Sequence, residues 1–218
     1  MILGIDTSIG TAVAVVDADG TTLARAVSDD TRGHAEVIGD LLIRALADAG
    51  AGPADITAVA AGMGPGPFTG LRVGIASARA FALGRGVPVV AVASHDAAAL
   101  ARVEAAGASP RLGEGDRFAI VTDARRRELA VSVHRVVDGV PVRVVDPHLV
   151  PRASAEPVEP FGVAASELVE TTSISAEALA RLAASRLREG TADTAAAEPL
   201  YLRAPDVTPP AAPKRVGS

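Results

Sequence analysis

The sequence contains the same order of strands and turns twice. Each copy reads apolar strand, Asp, second strand, Asp-Gly turn, third strand, and the landmarks are Asp6 with Asp19-Gly20 and then Asp123 with Asp138-Gly139. The strands are predicted at 2–5, 11–16 and 22–27 and again at 118–122, 128–137 and 140–145. Because Asp-Gly supplies the positive-φ residues of a tight hairpin, each copy is predicted to be an antiparallel meander. A fold built from two similar halves follows.

The first half continues as alternating helices and strands. A helix is predicted from His34 to Ala49, since its apolar residues recur on one face. The following elements are a strand at 56–61, a loop at 62–67, a helix at 69–83 with Thr69 as N-cap, a strand at 87–92 and a helix from 94 or 95 to 105. Residues 1–105 therefore predict an N-terminal half with the order βββαβαβα.

The second half, 106–203, is predicted to be a reduced version of the first. A Gly-, Ala- and Pro-rich linker precedes its first strand, and an irregular Pro-rich stretch follows its third. Ser175 is the expected N-cap of an amphipathic helix that runs to residue 189. Residues 199–203 read as a short strand or strap, and the Pro-rich tail at 204–218 is expected to be disordered.

Composition excludes several classes of protein. The 218 residues contain no Cys, which excludes disulfides, thiolate metal sites and a Cys nucleophile. The net charge is −5, so autonomous binding to a phosphate backbone is not expected. No two of the four His residues have helical metal-ligand spacing, and no metal site is predicted. Neither a signal peptide nor a membrane span is found, and a cytoplasmic location is expected.

The turn after the first strand has two interpretations. Asp6 could hold a hydrated Mg²⁺ while the region of Thr7, Ser8, Gly10 and Thr11 approaches phosphate oxygens. Alternatively, Asp6 is an acid at a strand end, and Thr7 and Ser8 make ordinary turn hydrogen bonds. The sequence leaves both open.

Three further features also carry alternatives. Gly70, Gly74, Ala78 and Ala82 form a face of small residues that packs either on the chain's own sheet or on a helix of another subunit. The loop at 64–70 favours rigid turn geometry over a phosphate cradle, because its two prolines remove N–H donors. The basic run at Arg125–Arg127 is either a solvated strand edge or a contact to nucleic acid or an acidic partner.

Several motifs together carry a resemblance to a known family. They are Gly4-Ile5-Asp6-Thr7-Ser8, His34 at the start of the first helix, the block from Gly64 to Gly74, Asp123-Ala124-Arg125-Arg126 and Pro199-Leu200-Tyr201-Leu202-Arg203. The chain resembles the bacterial TsaB (YeaZ) family over about residues 1–135 and again at 199–203. The block from Gly64 to Gly74 is the most specific of these motifs.

The resemblance implies an α/β fold of the actin-like ATPase and sugar-kinase type (ribonuclease H-like), with duplicated βββαβαβα halves. It implies a non-catalytic subunit that binds and activates TsaD, with the ATPase TsaE, in making threonylcarbamoyladenosine beside the anticodon of tRNA. It further implies a homodimer when the protein is alone, tRNA contact only through the complex and no required cofactor, with at most weak Mg-ATP or Mg-ADP binding. The residues expected at the partner interface are His34, Val37, Leu41, Leu71, Arg72 and Ile75.

Two enzymatic alternatives are weighed beside this role. One is a small ATPase or sugar-kinase-like phosphotransferase that uses Asp6 as its Mg²⁺ acid. The other is a peptidase, which the sequence supports with neither a nucleophile–base pair nor a metal motif.

Overall fold

The computed structural model describes residues 1–105, 112–153, 162–163, 167–194 and 197–203. The described elements are β1 (Ile2–Asp6), β2 (Thr11–Val16), β3 (Thr22–Ser28), α1 (His34–Asp48), β4 (Ala58–Gly62), α2 (Phe68–Arg85), β5 (Val89–Val92), α3 (Ser94–Glu104), β6 (Arg117–Asp123), β7 (Glu128–Val137), β8 (Val140–Pro151), β9 (Leu168–Glu170) and α4 (Ala176–Glu189). They form two sheets. The mixed α/β class is confirmed.

Both sheets are built on the same plan. The first has the strand order β3-β2-β1-β4-β5, with antiparallel pairing among β1, β2 and β3 and parallel pairing of β4 and β5. The second has the order β8-β7-β6-β9, and its last strand is again parallel to its first. The strand–Asp–strand–turn pattern of the sequence therefore corresponds to two meanders of equal topology.

Two helices lie between the sheets, and each contacts the sheet of the other half. Helix α4 packs on β1 and β2, whereas α3 packs on β6 and β8. A side chain at Gly4 would overlap the backbone of Ala176, so α4 approaches β1 closely. Small residues on both helices permit this approach, and one apolar cluster extends from Ile2 through α3 and α4 to Phe118. The two halves therefore share one core.

Some predicted elements needed correction. Helix α2 begins at Phe68 with Pro67 as its N-cap residue, so the prediction that Thr69 caps it is wrong. Strand β8 runs on to Pro151, β9 was not predicted, and residues 199–203 form no strand. Ser175 does cap α4, since its hydroxyl accepts from the Ala178 amide at 3.0 Å. The half boundaries at 105 and 203 remain predictions, and the tail at 204–218 lies outside the described residues.

The small-residue face of α2 lies against the chain's own first half. Gly70, Gly74, Ala78 and Ala82 are all buried. The Thr7 hydroxyl donates to the Gly70 carbonyl at 2.7 Å and accepts from the Gly74 amide at 3.1 Å, two groups that pair with each other in a regular helix. A side chain at Gly74 would overlap this hydroxyl. The own-sheet interpretation of the stripe is therefore confirmed, and the alternative of a second subunit on this face is wrong.

A buried polar cluster joins the halves at the start of α3. His95 is fully buried, with Nδ1 2.8 Å from Ser132 Oγ and Nε2 3.0 Å from Thr122 Oγ1. The carboxylate of the neighbouring Asp96 lies 3.2 Å from His134 Nε2 and accepts a hydrogen bond from the Arg186 guanidinium at 3.1 Å. Desolvation, followed by the nearby charge of His134, lowers the pKa of His95 to about 3. His95 is therefore held neutral between the two halves.

The Gly74→Ala substitution should test the packing of α2 against Thr7. We expect a loss of unfolding free energy of about 2 kcal/mol or more, because the methyl group would displace a buried hydrogen-bonded hydroxyl. Gly84→Ala in the same helix is the control, since its Cβ would meet open space, and it should change stability by less than about 1 kcal/mol, toward stabilisation. Denaturant titrations measure both. Equal stabilities for the two variants would contradict the packing.

A second expectation concerns pH. The pKa of His95 is lower in the folded chain than in the unfolded one, so its contribution to stability is present above about pH 6.5 and is lost as pH falls. Between pH 6.5 and 5 this group should remove about 2 kcal/mol, since each pH unit is worth about 1.4 kcal/mol. His95→Gln should flatten this dependence, whereas His148→Gln should keep it. A wild-type and a His95→Gln curve of the same slope would contradict the assignment.

Candidate functional site

The turn after β1 is buried and tied to three other elements. The Asp6 carboxylate accepts from the Ser8 amide at 2.8 Å, and hydroxyls of Ser8 and Ser94 also bond to it. The backbone of Gly62 lies so close that a side chain there would overlap the carboxylate. Ser94 in turn accepts from the Gly64 amide at 3.0 Å. Asp6 therefore connects the end of β1 with α3 and with the loop before α2.

Burial raises the pKa of Asp6, and the hydrogen bonds from Ser8 and Ser94 lower it in part. Both carboxylate oxygens already have protein donors: Oδ1 bonds to Ser8 and Oδ2 to Ser94. Thr7 is engaged by α2, as described above. Thr11 bonds His34 Nδ1 at 2.9 Å, and Gly10 packs against the carbonyl of Ser28. This geometry matches the ordinary-turn interpretation of the five predicted residues.

A cavity of about 390 Å³ lies beside this turn. Gly10–Ala12 form one side of this cavity, and the connection from β9 to α4 forms the other. Asp6 also contributes to its lining. Weak nucleotide binding there remains a prediction. The described part of the chain contains no group of three or more His, Cys, Asp or Glu side chains arranged to hold a metal ion.

The six residues predicted at a partner interface divide into two groups. His34, Leu41, Leu71 and Ile75 are buried within the first half, where they pack against its sheet or the turn after β1. Val37 is half-buried and Arg72 is exposed. Helical periodicity identified the apolar face correctly, but the chain's own sheet covers that face. The prediction that these four residues contact a partner directly is therefore corrected. They lie beneath the surface of the first half and support it.

The outward surface of α1 and α2 consists of other residues. Ile43 is 70% exposed and Leu83 is 84% exposed, so both helices present a large apolar side chain to the surface. Two acidic residues of α1, Glu36 and Asp40, are also exposed. So are two arginines of α2, Arg72 and Arg79. We call these exposed residues of α1 and α2 the outer helix face. Its mixture of apolar and complementary charged groups is typical of a contact surface.

A second cavity, of about 430 Å³, lies between the halves and is called the interhalf cavity here. Its walls are the loop at Pro65–Phe68, the turn at Asp123–Arg126 and the segment Tyr201–Arg203. We call residues 200–203 the strap, because this segment forms hydrogen bonds with both halves. The Leu200 amide donates to the Met63 carbonyl at 2.7 Å, and Arg203 donates to the Ala124 carbonyl at 3.1 Å. The sequence motifs indicated each wall but not that they meet.

Arg125, Arg126 and Arg127 adopt an unusual backbone conformation. Their φ angles are 61°, 53° and 62°, in the left-handed region that disfavours side chains. The Arg152 amide donates to the Arg127 carbonyl at 2.8 Å, and the Arg203 guanidinium bonds the Arg125 carbonyl at 3.4 Å. These bonds hold the turn in place. Its backbone conformation could not be predicted from the sequence, because a left-handed turn is normally marked by a Gly and none is present here.

None of the helices among the described residues combines the length and the apolar character needed to cross a bilayer.

Comparison with known proteins identifies relatives. The sequence matches the family model for TsaD, described as tRNA N6-adenosine threonylcarbamoyltransferase, over residues 22–156. An uncharacterized protein of Mycobacterium tuberculosis is 40% identical over 165 residues, covering 75% of this chain and 71% of that protein. A tRNA N6-adenosine threonylcarbamoyltransferase of Novosphingobium aromaticivorans is 36% identical over 135 residues, which cover 52% of this chain and 36% of that enzyme.

Solved structures extend the likeness to almost the whole chain. YeaZ from Pseudomonas aeruginosa superposes with a TM-score of 0.73 at 25% identity, covering 92% of this chain and 99% of that one. A second Pseudomonas aeruginosa structure, described as similar to peptidase YeaZ, gives 0.73 at 26% identity with 93% and 99% coverage. Since the family model spans more than half of the sequence and YeaZ spans nearly all of the structure, the chain belongs to the TsaD family, in its TsaB (YeaZ) branch.

Proposed function

We propose that this chain is a non-catalytic partner subunit for threonylcarbamoyl transfer to the adenosine beside the anticodon of tRNA. In this role it binds and activates a TsaD transferase and works with the ATPase TsaE. The observation that carries the proposal is that the likeness covers 99% of YeaZ, compared with only 36% of the length of the related transferase. The chain thus corresponds to the whole of the one protein and to a part of the other.

The outer helix face supports the partner role. Exposed Ile43 and Leu83 provide apolar contact area that the described residues leave largely uncovered. Glu36 and Asp40 on α1 and Arg72 on α2 are complementary in charge. Two such faces related by a two-fold axis would bring α1 of one subunit to α2 of the other. The same face therefore suits both a transferase of related fold and, in the isolated protein, a second copy of this chain.

The internal use of Asp6 supports a role without chemistry of its own. Ser8 and Ser94 both bond to its oxygens, and burial raises the pKa of its carboxyl group. A Mg²⁺ ion would have to compete with these internal hydrogen bonds for the carboxylate oxygens. The runner-up function, a small Mg-ATP-dependent ATPase or phosphotransferase, is favoured by one observation, the cavity of about 390 Å³ beside this turn.

The Ile43→Arg and Leu83→Arg substitutions test the outer helix face. Each should weaken binding to the transferase by tenfold or more, because an unpaired charge replaces apolar contact area. Val142→Arg, on an exposed position of β8 in the other half, is the matched control and should bind normally. Calorimetry measures affinity, and light scattering measures homodimer formation by the same variants. Normal binding by the folded Ile43→Arg and Leu83→Arg proteins would contradict this interface.

The Asp6→Asn substitution separates the two candidate functions. Threonylcarbamoyl transfer to tRNA by TsaD and TsaE is measured with and without this chain. Under the partner proposal, activity depends on the chain and survives Asp6→Asn, since the amide has nearly the size and shape of the carboxyl group. Loss of activity in a folded Asp6→Asn protein, together with Mg-ATP binding by the wild type, would instead favour the ATPase.

A further inference from the structure

The interhalf cavity has one wall made of a preassembled aromatic stack. The Arg72 guanidinium lies 3.8 Å from the centre of the Phe68 ring, and the Phe68 and Tyr201 rings are 4.3 Å apart. Arg72 Nε also donates to the Tyr201 hydroxyl at 3.4 Å. The rings are therefore held in place before any ligand arrives. Rigid aromatic side chains of this kind are surfaces on which unpaired bases stack.

The opposite wall is positively charged. Arg125 and Arg126 are exposed at the cavity, whereas the overall chain carries a net charge of −5. Asp123 is the acidic group among the described residues lining the cavity, and Arg152 binds it at 2.8 Å. The charge of Asp123 is thus balanced by Arg152, which is not among the lining residues. The lining itself carries more positive than negative side chains. A positively charged wall that faces an aromatic wall favours a ligand with both an anionic group and a flat, uncharged ring.

The strained turn gives these charges a fixed position. Three successive left-handed residues are unfavourable for arginine, and the turn persists because Arg203 and Arg152 bond its carbonyls. Arg203 belongs to the same strap as Tyr201. The strap therefore fixes the aromatic wall and the cationic wall relative to each other. Strain of this type is concentrated at binding sites, where it preorganises contacts.

We propose that the interhalf cavity holds one nucleotide of a single-stranded RNA, with the base against Tyr201 and Phe68 and the phosphate against Arg125 and Arg126. The cavity volume of about 430 Å³ is in the range of small-molecule sites and accommodates one such unit. This inference rests on the proposed function, which brings the chain to tRNA. Two arginines give weak binding alone, so the site orients an RNA that the transferase complex also holds.

The test uses an Arg125→Gly/Arg126→Gly variant. Glycine adopts positive φ freely, so the turn is kept while both charges are removed. Fluorescence anisotropy measures the affinity of the full chain for a labelled anticodon stem-loop at low salt. We expect at least fivefold weaker binding, and a slope of log affinity against log salt reduced by about 0.7, the value for the loss of one single-strand phosphate contact. The melting temperature should be equal to or above that of the wild type.

Two further comparisons separate specific from general attraction. An Arg32→Gln/Arg135→Gln variant removes the same charge elsewhere on the surface and should bind like the wild type. Tyr201→Ala should weaken binding, whereas Tyr201→Phe should retain it because the ring remains. Equal losses from the two double variants, or wild-type affinity in the glycine variant, would overturn the proposal. Saturable binding of free AMP without binding of the stem-loop would also overturn it, in favour of a free-nucleotide site.

The outcome can be distinguished from failure of the proposed function. The same preparations are tested for capture of the transferase. Captured partner with no difference in RNA affinity between wild type and the glycine variant refutes the RNA site alone. Loss of partner capture with the RNA difference intact refutes the partner role and supports the cavity.

Discussion

The turn after β1 is the contact on which the rest of the structure depends. Within six residues, Asp6 bonds to α3 through Ser94, Thr7 inserts its hydroxyl against α2, and Thr11 bonds His34 at the start of α1. All of these side chains are buried, so each hydrogen bond is made without competition from water. Three helices are thereby fixed to the end of one strand. The outer helix face and the loop that forms one wall of the interhalf cavity both take their positions from this turn.

The same turn shows how a cluster of polar side chains can serve as internal support. Hydroxyl and carboxylate groups after a β-strand suit phosphate and Mg²⁺, as the sequence suggests. In this chain they bond to their own neighbours, and Gly62 and Gly74 let Asp6 and Thr7 approach the backbone closely. Internal hydrogen bonds thus account for the burial of these side chains. This leaves the surfaces of the helices and of the cavity for intermolecular contacts.

Much of the fold was predictable because it depends on local patterns. The Asp138-Gly139 turn, the apolar strands and the capping Ser175 each require only neighbouring residues, and the structure confirms them. In the first copy only Gly20 has a positive φ, and the connection spans residues 17–21, so the prediction of a tight Asp19-Gly20 hairpin is wrong. The meeting of His95 with Ser132 and Thr122 depends on an exchange of helices that no local pattern encodes. Helical periodicity also cannot say whether an apolar face meets the chain's own sheet or a partner, and so Leu71 and Ile75 were assigned to the surface.

The exchange of helices also bears on how the chain is made. The sheet of the first half is complete by residue 92, yet α4, which covers one of its faces, ends at residue 189. During synthesis the N-terminal half must therefore wait, with the face formed by Ile2, Val16 and Val90 open to water, until nearly the whole chain has left the ribosome. The two halves resemble each other as structures, but the apolar cluster between them is complete only when α4 is in place.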